Sequence, residues 1–288
     1  MIAYCQPARS VIKQPTLAVP ALSCDCHAHV LGPPSRYPYV PDRSYTPPDA
    51  LPSDYLRMLA VLGVERMVVV QASCYGEDNR RTIDAVHELG IHRARGVVMV
   101  GARVAEEELN AMHDSGIRAT RFITTAKGGP TLDQLSDVAA RVAPLGWAIE
   151  MYIPPRAWPD VLPIVERLPV PVVFDHMGGM LASTPLSDPV FRRITALLES
   201  GRCWTKLTGY RPSVAGPPYA DVAPLARHFI ARAPDRCVWG TDWPHTNIEG
   251  HMPDDGALLD QLATWVDDAG ALKKILVHNP EQLYKFNA

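Results

Sequence analysis

Eight times in succession, a short apolar run of strand length is followed by a stretch with helical punctuation. The runs cover residues 23–30, 66–71, 95–100, 117–123, 147–153, 170–176, 203–208 and 237–242. They are nearly continuous in apolar residues, as in Met67-Val68-Val69-Val70, which predicts strands buried on both faces of a parallel sheet. Helices are predicted between them at about 53–62, 79–89, 104–115, 131–143, 157–167, 189–200, 220–232, 255–269 and 271–277. Ser53 reads as an N-cap and Gly63, Gly90 and Gly116 as stops. Thr131 with Gln134 reads as a capping box. Eight such units predict an α/β fold of the (β/α)8 TIM-barrel type rather than an open doubly wound sheet. No Gly-x-Gly-x-x-Gly follows a strand and there is no phosphate-binding loop, which argues against a nucleotide fold. The reading is a tail at residues 1–20 and a single barrel domain at 21–288. The barrel carries a long loop after its first strand, with seven prolines from Pro33 to Pro52, so that regular helix or central strand is excluded there. A loop of that length beside a strand end is expected to wall a pocket.

The chain has 288 residues, 47% of them hydrophobic, and a formal net charge of −3. That balance excludes a polybasic nucleic-acid or membrane-surface binder, and an anionic substrate must be held by local arginines. No window approaches the ~20 apolar residues of a membrane span, and the first 20 residues lack a signal-peptide pattern. The six cysteines match no zinc-finger spacing and read as reduced thiols of a cytoplasmic protein. Cys24 and Cys26 are expected on the strand face opposite the histidines that follow. Nothing excludes a homo-oligomer.

In a barrel of this type, chemistry sits at the carboxyl ends of the strands. Strand one offers His27 and His29, which share a face by the period of two. Later strand ends offer Gln71 and Ser73, Arg121, Glu150 and Tyr152, Asp175 and His176, Lys206 with Tyr210 and Arg211, and Asp242 with His245. Alone, His176 reads as a core histidine, Asp242 as a helix cap and Lys206 as a partner of Glu150 across the barrel. Three histidines and an aspartate converging from three strand ends argue for a hydrolytic site. An aspartate takes a proton from water, and imidazoles polarise a carbonyl or hold a metal. Arg121, Arg211 and Lys206 are suited to carboxylates.

Several segments carry a resemblance: Asp25-Cys26-His27-Ala28-His29-Val30, the Tyr37 to Pro47 stretch of tyrosines and prolines, Phe174-Asp175-His176-Met177-Gly178, and Gly240-Thr241-Asp242-Trp243-Pro244-His245. The chain resembles the amidohydrolase superfamily, and within it the 2-pyrone-4,6-dicarboxylate lactonase group. The resemblance implies a hydrolase of small carboxylated lactones from aromatic catabolism. It implies Asp242 as the base, with His27, His29 and His176 polarising the lactone carbonyl. Tyr45, Ser73, Arg121 and Arg211 are implied as contacts to the substrate, and the strand-end reading adds Tyr152 and His245. The pattern departs at Gly179, where the group carries an arginine, so one anion contact is expected to be missing unless Lys127 or Lys206 supplies it. Strand five lacks the histidine that one-zinc members add, and metal-free chemistry is the expectation. The alternatives are a zinc-dependent muconolactone-type hydrolase, with one zinc on His27, His29 and Asp242, or a lactone isomerase or decarboxylase on the same scaffold.

Overall fold

A computed structural model of the chain describes residues 2–248, 250–266 and 268–286. Its strands are β1 (Ala3–Tyr4), β2 (Cys24–Ala28), β3 (Tyr45–Thr46), β4 (Arg66–Val70), β5 (Ala94–Val98), β6 (Ile117–Ile123), β7 (Ala148–Tyr152), β8 (Val172–Phe174), β9 (Cys203–Leu207) and β10 (Cys237–Trp239). Among the described residues, eight of these form one sheet in the order β10-β9-β8-β7-β6-β5-β4-β2, every pairing parallel. The expected (β/α)8 barrel is the observed one. Its seam between β2 and β10 is closed by backbone bonds rather than a regular ladder: Asp242 N–H to the His27 carbonyl at 2.8 Å and His29 N–H to the Trp243 carbonyl at 2.7 Å.

The helices differ from expectation mainly at their ends. The first, Pro52–Leu62, starts at proline with Leu51 at the N-cap, and the Asp54 carboxylate accepts from the Leu51 N–H, so Ser53 is not the cap. Proline at the first helical position needs no amide partner. Thr131 and Gln134 make no capping box: the Gln134 amide donates to Thr131 Oγ1, its oxygen accepts from Ala102, and the α-helix begins only at Leu135. The helix expected over 255–269 stops at Ala263, and position 267 lies outside the described residues. A π-helical turn occupies Lys274–His278 where regular helix was expected.

The barrel interior draws on alternate positions of all eight strands, including Cys24, Cys26, Val68, Val97, Ala148 and Val238. Tyr284, from the last helix Asn279–Tyr284, plugs its lower end. Cys24 and Cys26 therefore point inward, not away from the histidines. The register slips between Asp25 and Ala28, and such a bulge resets the alternation. The result is that Asp25 turns outward to Tyr55 while His27, like Cys26, reaches residues of the interior. The six cysteines are free.

Residues 2–20 do not trail away. β1 pairs with β3 in the loop after strand one, and Lys13 and Thr16 bond the Asp254 and Asp260 carboxylates. Where β10 ends, Gly240 lies against strand one. A Cβ there would sit 2.7 Å from the His27 Cβ and 2.8 Å from its nitrogen. Gly240→Ala is therefore expected to cost about 1–3 kcal/mol of stability by overpacking. An unchanged urea midpoint would show that the seam relaxes freely.

Candidate active site

His27, His29, His176 and Asp242 meet at the carboxyl end of the barrel. His27 Nε2 is 3.6 Å and His29 Nε2 3.5 Å from Asp242 Oδ1, and His176 Nε2 is 4.0 Å from Oδ2. All four are buried. His27 lies within β2, but two strands stop short of their site residues: β8 ends at Phe174, before His176, and β10 at Trp239, before Asp242. His176 and Met177 adopt φ of 50° and 56°, and Asp242 has φ 64°. These are left-handed values, uncommon for non-glycine residues, which Asp and His reach more readily than Met177 does. Periodicity could not foresee such turns, since it speaks only of regular strands.

Asp242 is anchored on one side and open on the other. Its Oδ2 accepts from the Tyr210 hydroxyl and from Arg211 Nε, both at 2.6 Å. Its Oδ1, like His27 Nε2, has no hydrogen-bond partner among the described residues. Burial is the largest single influence and would raise its pKa, but the Arg211 guanidinium and the facing imidazoles together outweigh it and hold the carboxyl well below the usual range. Burial lowers His176 to about 4, so its ring is neutral near pH 7. His176 Nδ1 shares a hydrogen with Thr208 Oγ1 at 2.9 Å.

Beneath them lies a buried charge cluster. Lys206 Nζ is 2.5 Å from Glu150 Oε2, as the cross-barrel pairing predicted, and 3.2 Å from both Asp175 Oδ1 and His27 Nδ1. Arg121 Nε bonds Asp175 Oδ2 at 3.1 Å, so this arginine begins engaged with a carboxylate of the chain. Around the cluster, Tyr45 and Ser73 approach each other at 3.4 Å and Tyr152 packs edge-on against His176. His245 is turned toward the helix at Asp255–Ala263, with Nε2 3.0 Å from Asp255 Oδ1 and Nδ1 without a partner among the described residues. A cleft of ≈ 430 Å³ opens beside Arg211, between Tyr219, Asn247 and His251.

Neither lysine expected to replace a missing anion contact is free to do so. Lys127 pairs with Asp42 at the exposed surface, and Lys206 is clamped inside the barrel. Gly179 itself has a structural reason: its φ is +68°, and a Cβ would lie 2.9 Å from the Ile153 carbonyl. Asp25 and Thr241, which tie the seam, escaped the sequence reading. Asp25 stands two residues before His27, and its proximity was a signal that strand alternation hid.

His27, His29 and Asp242 offer two imidazole nitrogens and a carboxylate oxygen within 4.8 Å of one another, so the site has a group able to hold a metal ion. In element and reach the set suits one zinc. The far sides of the two rings differ, however. His29 Nδ1 faces the Val70 carbonyl at 2.8 Å, the partner a ligating histidine needs, whereas His27 Nδ1 faces an ammonium. The donors fit zinc as the hydrogen bonds around His29 stand, and do not fit it as those around His27 stand.

The comparisons with known proteins agree with this geometry. The amidohydrolase family model matches residues 24–286. A 2-pyrone-4,6-dicarboxylate hydrolase of Comamonas testosteroni is 38% identical over 283 residues, spanning 94% of this chain and 92% of its own. A 4-sulfomuconolactone hydrolase of Rhizobium radiobacter is 35% identical, spanning 97% and 95%. A D-galactarolactone isomerase of Agrobacterium fabrum is 32% identical, spanning 95% and 94%. With nearly its whole length covered in each case, the chain belongs to the amidohydrolase family.

Proposed function

We propose that this protein is a lactonase: it hydrolyses a small carboxylated lactone arising in the breakdown of aromatic compounds, without a metal ion. The observation that carries the reading is the open Oδ1 of ionised Asp242, faced by His27 and His29, with His176 Nε2 4.0 Å from the other oxygen. Asp242 takes a proton from water as the water oxygen attacks the lactone carbonyl carbon. His27 and His176 polarise the carbonyl oxygen, and His29, spent at Nδ1 on Val70, orients the water beside Asp242. Collapse of the tetrahedral adduct breaks the ring C–O bond, and the leaving oxygen recovers the proton from Asp242. Arg211 at the cleft, with Tyr45, Ser73, Arg121 and Tyr152, supplies the polar lining for the substrate's carboxylate, whereas His245 is spent on Asp255. The resemblance to the pyrone and sulfomuconolactone hydrolases supports this class of substrate. The free thiols support a cytoplasmic setting, and no described helix is long and apolar enough to cross a membrane.

A panel of mono- and dicarboxylated lactones, assayed with and without chelator, tests the proposal. Hydrolysis that survives chelation is expected; turnover of none of them, or complete dependence on added zinc, would refute it. The similarity to a lactone isomerase favours isomerisation as the second reading. Reaction in heavy-oxygen water separates the two, because only hydrolysis places solvent oxygen in the product. Release of carbon dioxide would instead mark a decarboxylase.

The neutral state of His176 sets the pH response. A group whose pKa is lowered to about 4 stays uncharged from alkaline pH down to that value, and Asp242 stays ionised over the same span. As far as His176 and Asp242 set it, the kcat/KM profile is therefore expected to stay flat from about pH 8 to about pH 5 and to fall only nearer pH 4. An acid limb centred at the ordinary histidine value would contradict these environments.

A further inference from the structure

We infer that Lys206 is a positioning residue that fixes the tautomer of His27, placing its ring proton on Nε2 and turning one member of a metal-type histidine pair into a hydrogen-bond donor. The matching of donors to acceptors carries this. Lys206 Nζ lies 3.2 Å from His27 Nδ1, and an ammonium can only donate. The other neighbour of Nδ1, Asp175 Oδ1, is at 3.6 Å, beyond hydrogen-bond range. Nδ1 must therefore accept, and the single proton of the neutral ring falls to Nε2.

Lys206 cannot easily turn aside. It is fully buried and sits between the Glu150 and Asp175 carboxylates. Glu150 is held in turn by the Tyr284 hydroxyl at 2.8 Å, and Asp175 by Arg121. His29 has the opposite arrangement: its Nδ1 meets a carbonyl, so the proton is there and Nε2 carries a lone pair. Two histidines that look equivalent in sequence thus present one donor and one acceptor, each about the same distance from Asp242 Oδ1. Zinc would need a lone pair on both. Delivery of the His27 proton to a lactone carbonyl rests on the proposed function, whereas the tautomer does not.

The direct test is nitrogen NMR of the ¹⁵N-histidine-labelled protein, with His27 assigned by its loss in His27→Gln. At neutral pH, His27 is expected to show an unprotonated Nδ1 and a protonated Nε2, the reverse of His29. A protonated Nδ1 on His27 in the unmodified protein overturns the inference. Lys206→Met and the charge-balanced Lys206→Met/Glu150→Gln pair extend it. The ring should then move its proton to Nδ1, toward Asp175. Equilibrium dialysis against zinc alone should show binding at least about tenfold tighter than in the unmodified protein, because the partner of a histidine's far nitrogen changes metal affinity by about 10–100-fold. A folded double variant with unchanged tautomer and unchanged zinc affinity would also overturn the assignment. If the NMR result holds while no lactone is turned over, the functional proposal fails and this inference stands.

Discussion

Replacing Asp242 with asparagine is expected to lower kcat by about a thousandfold while leaving KM within a few-fold, because general-base groups contribute roughly 10²–10⁴. Asparagine suits the test for structural reasons. The position has φ 64°, a left-handed conformation that asparagine tolerates and alanine does not. Its amide oxygen can still accept from the Tyr210 hydroxyl and Arg211 Nε, which meet Oδ2 in the native site. What is lost is the open oxygen facing His27 and His29. Steady-state kinetics on the carboxylated lactone identified by the panel, with isothermal titration to confirm that binding survives, checks the result. Unchanged turnover would remove Asp242 from the proton transfer. A loss confined to KM would make it a binding residue only.

The fold was open to sequence reading because it repeats. Eight apolar runs, each followed by a stretch of helical pattern, leave few arrangements other than a barrel, and the observed strands begin and end within about three residues of those runs. The meeting of His27, His29, His176 and Asp242 followed from the rule that strand ends share one rim. Other features had no local signature. The bulge after Asp25 is a tertiary event in which β2 shifts register against β4, and it reversed the expected facing of Cys24 and Cys26. The left-handed turn at His176 depends on packing, not on propensity. The preference for Pro52 over Ser53 as the opening of a helix was readable in principle, because proline at the first position needs no partner. The contact between Lys206 and His27 joins positions 179 residues apart and emerges only once the barrel closes.

That closure rests heavily on Asp25, and Asp25→Ala is expected to cost about 3–5 kcal/mol, because it strands several buried donors, each costing roughly 1–3 kcal/mol when left without an acceptor. The carboxylate takes four donors. Oδ1 accepts from the His27 and Thr241 amides at 3.1 and 2.9 Å, and Oδ2 from the Tyr55 and Thr241 hydroxyls at 2.8 and 2.6 Å. Three of the four belong to the seam segments that carry His27 and Asp242, so its loss should loosen the rim that holds these residues as well as the fold. Burial pushes the Asp25 carboxyl up to about 6 against the pull of these donors, from 3.8 in an open chain. The sign follows from linkage: between those values the folded protein holds a proton that the unfolded chain has released. The carboxyl's contribution to stability is then fully present below about pH 3.8 and is lost as pH rises through about 6. Alanine has no such dependence, so the gap in unfolding free energy between native protein and variant should be wider at about pH 4.5 than at pH 7. Urea unfolding of both proteins at the two pH values measures it. A gap that widens toward pH 7 would mean that the four donors hold the carboxylate ionised below its open-chain value and that burial is the weaker influence at the seam.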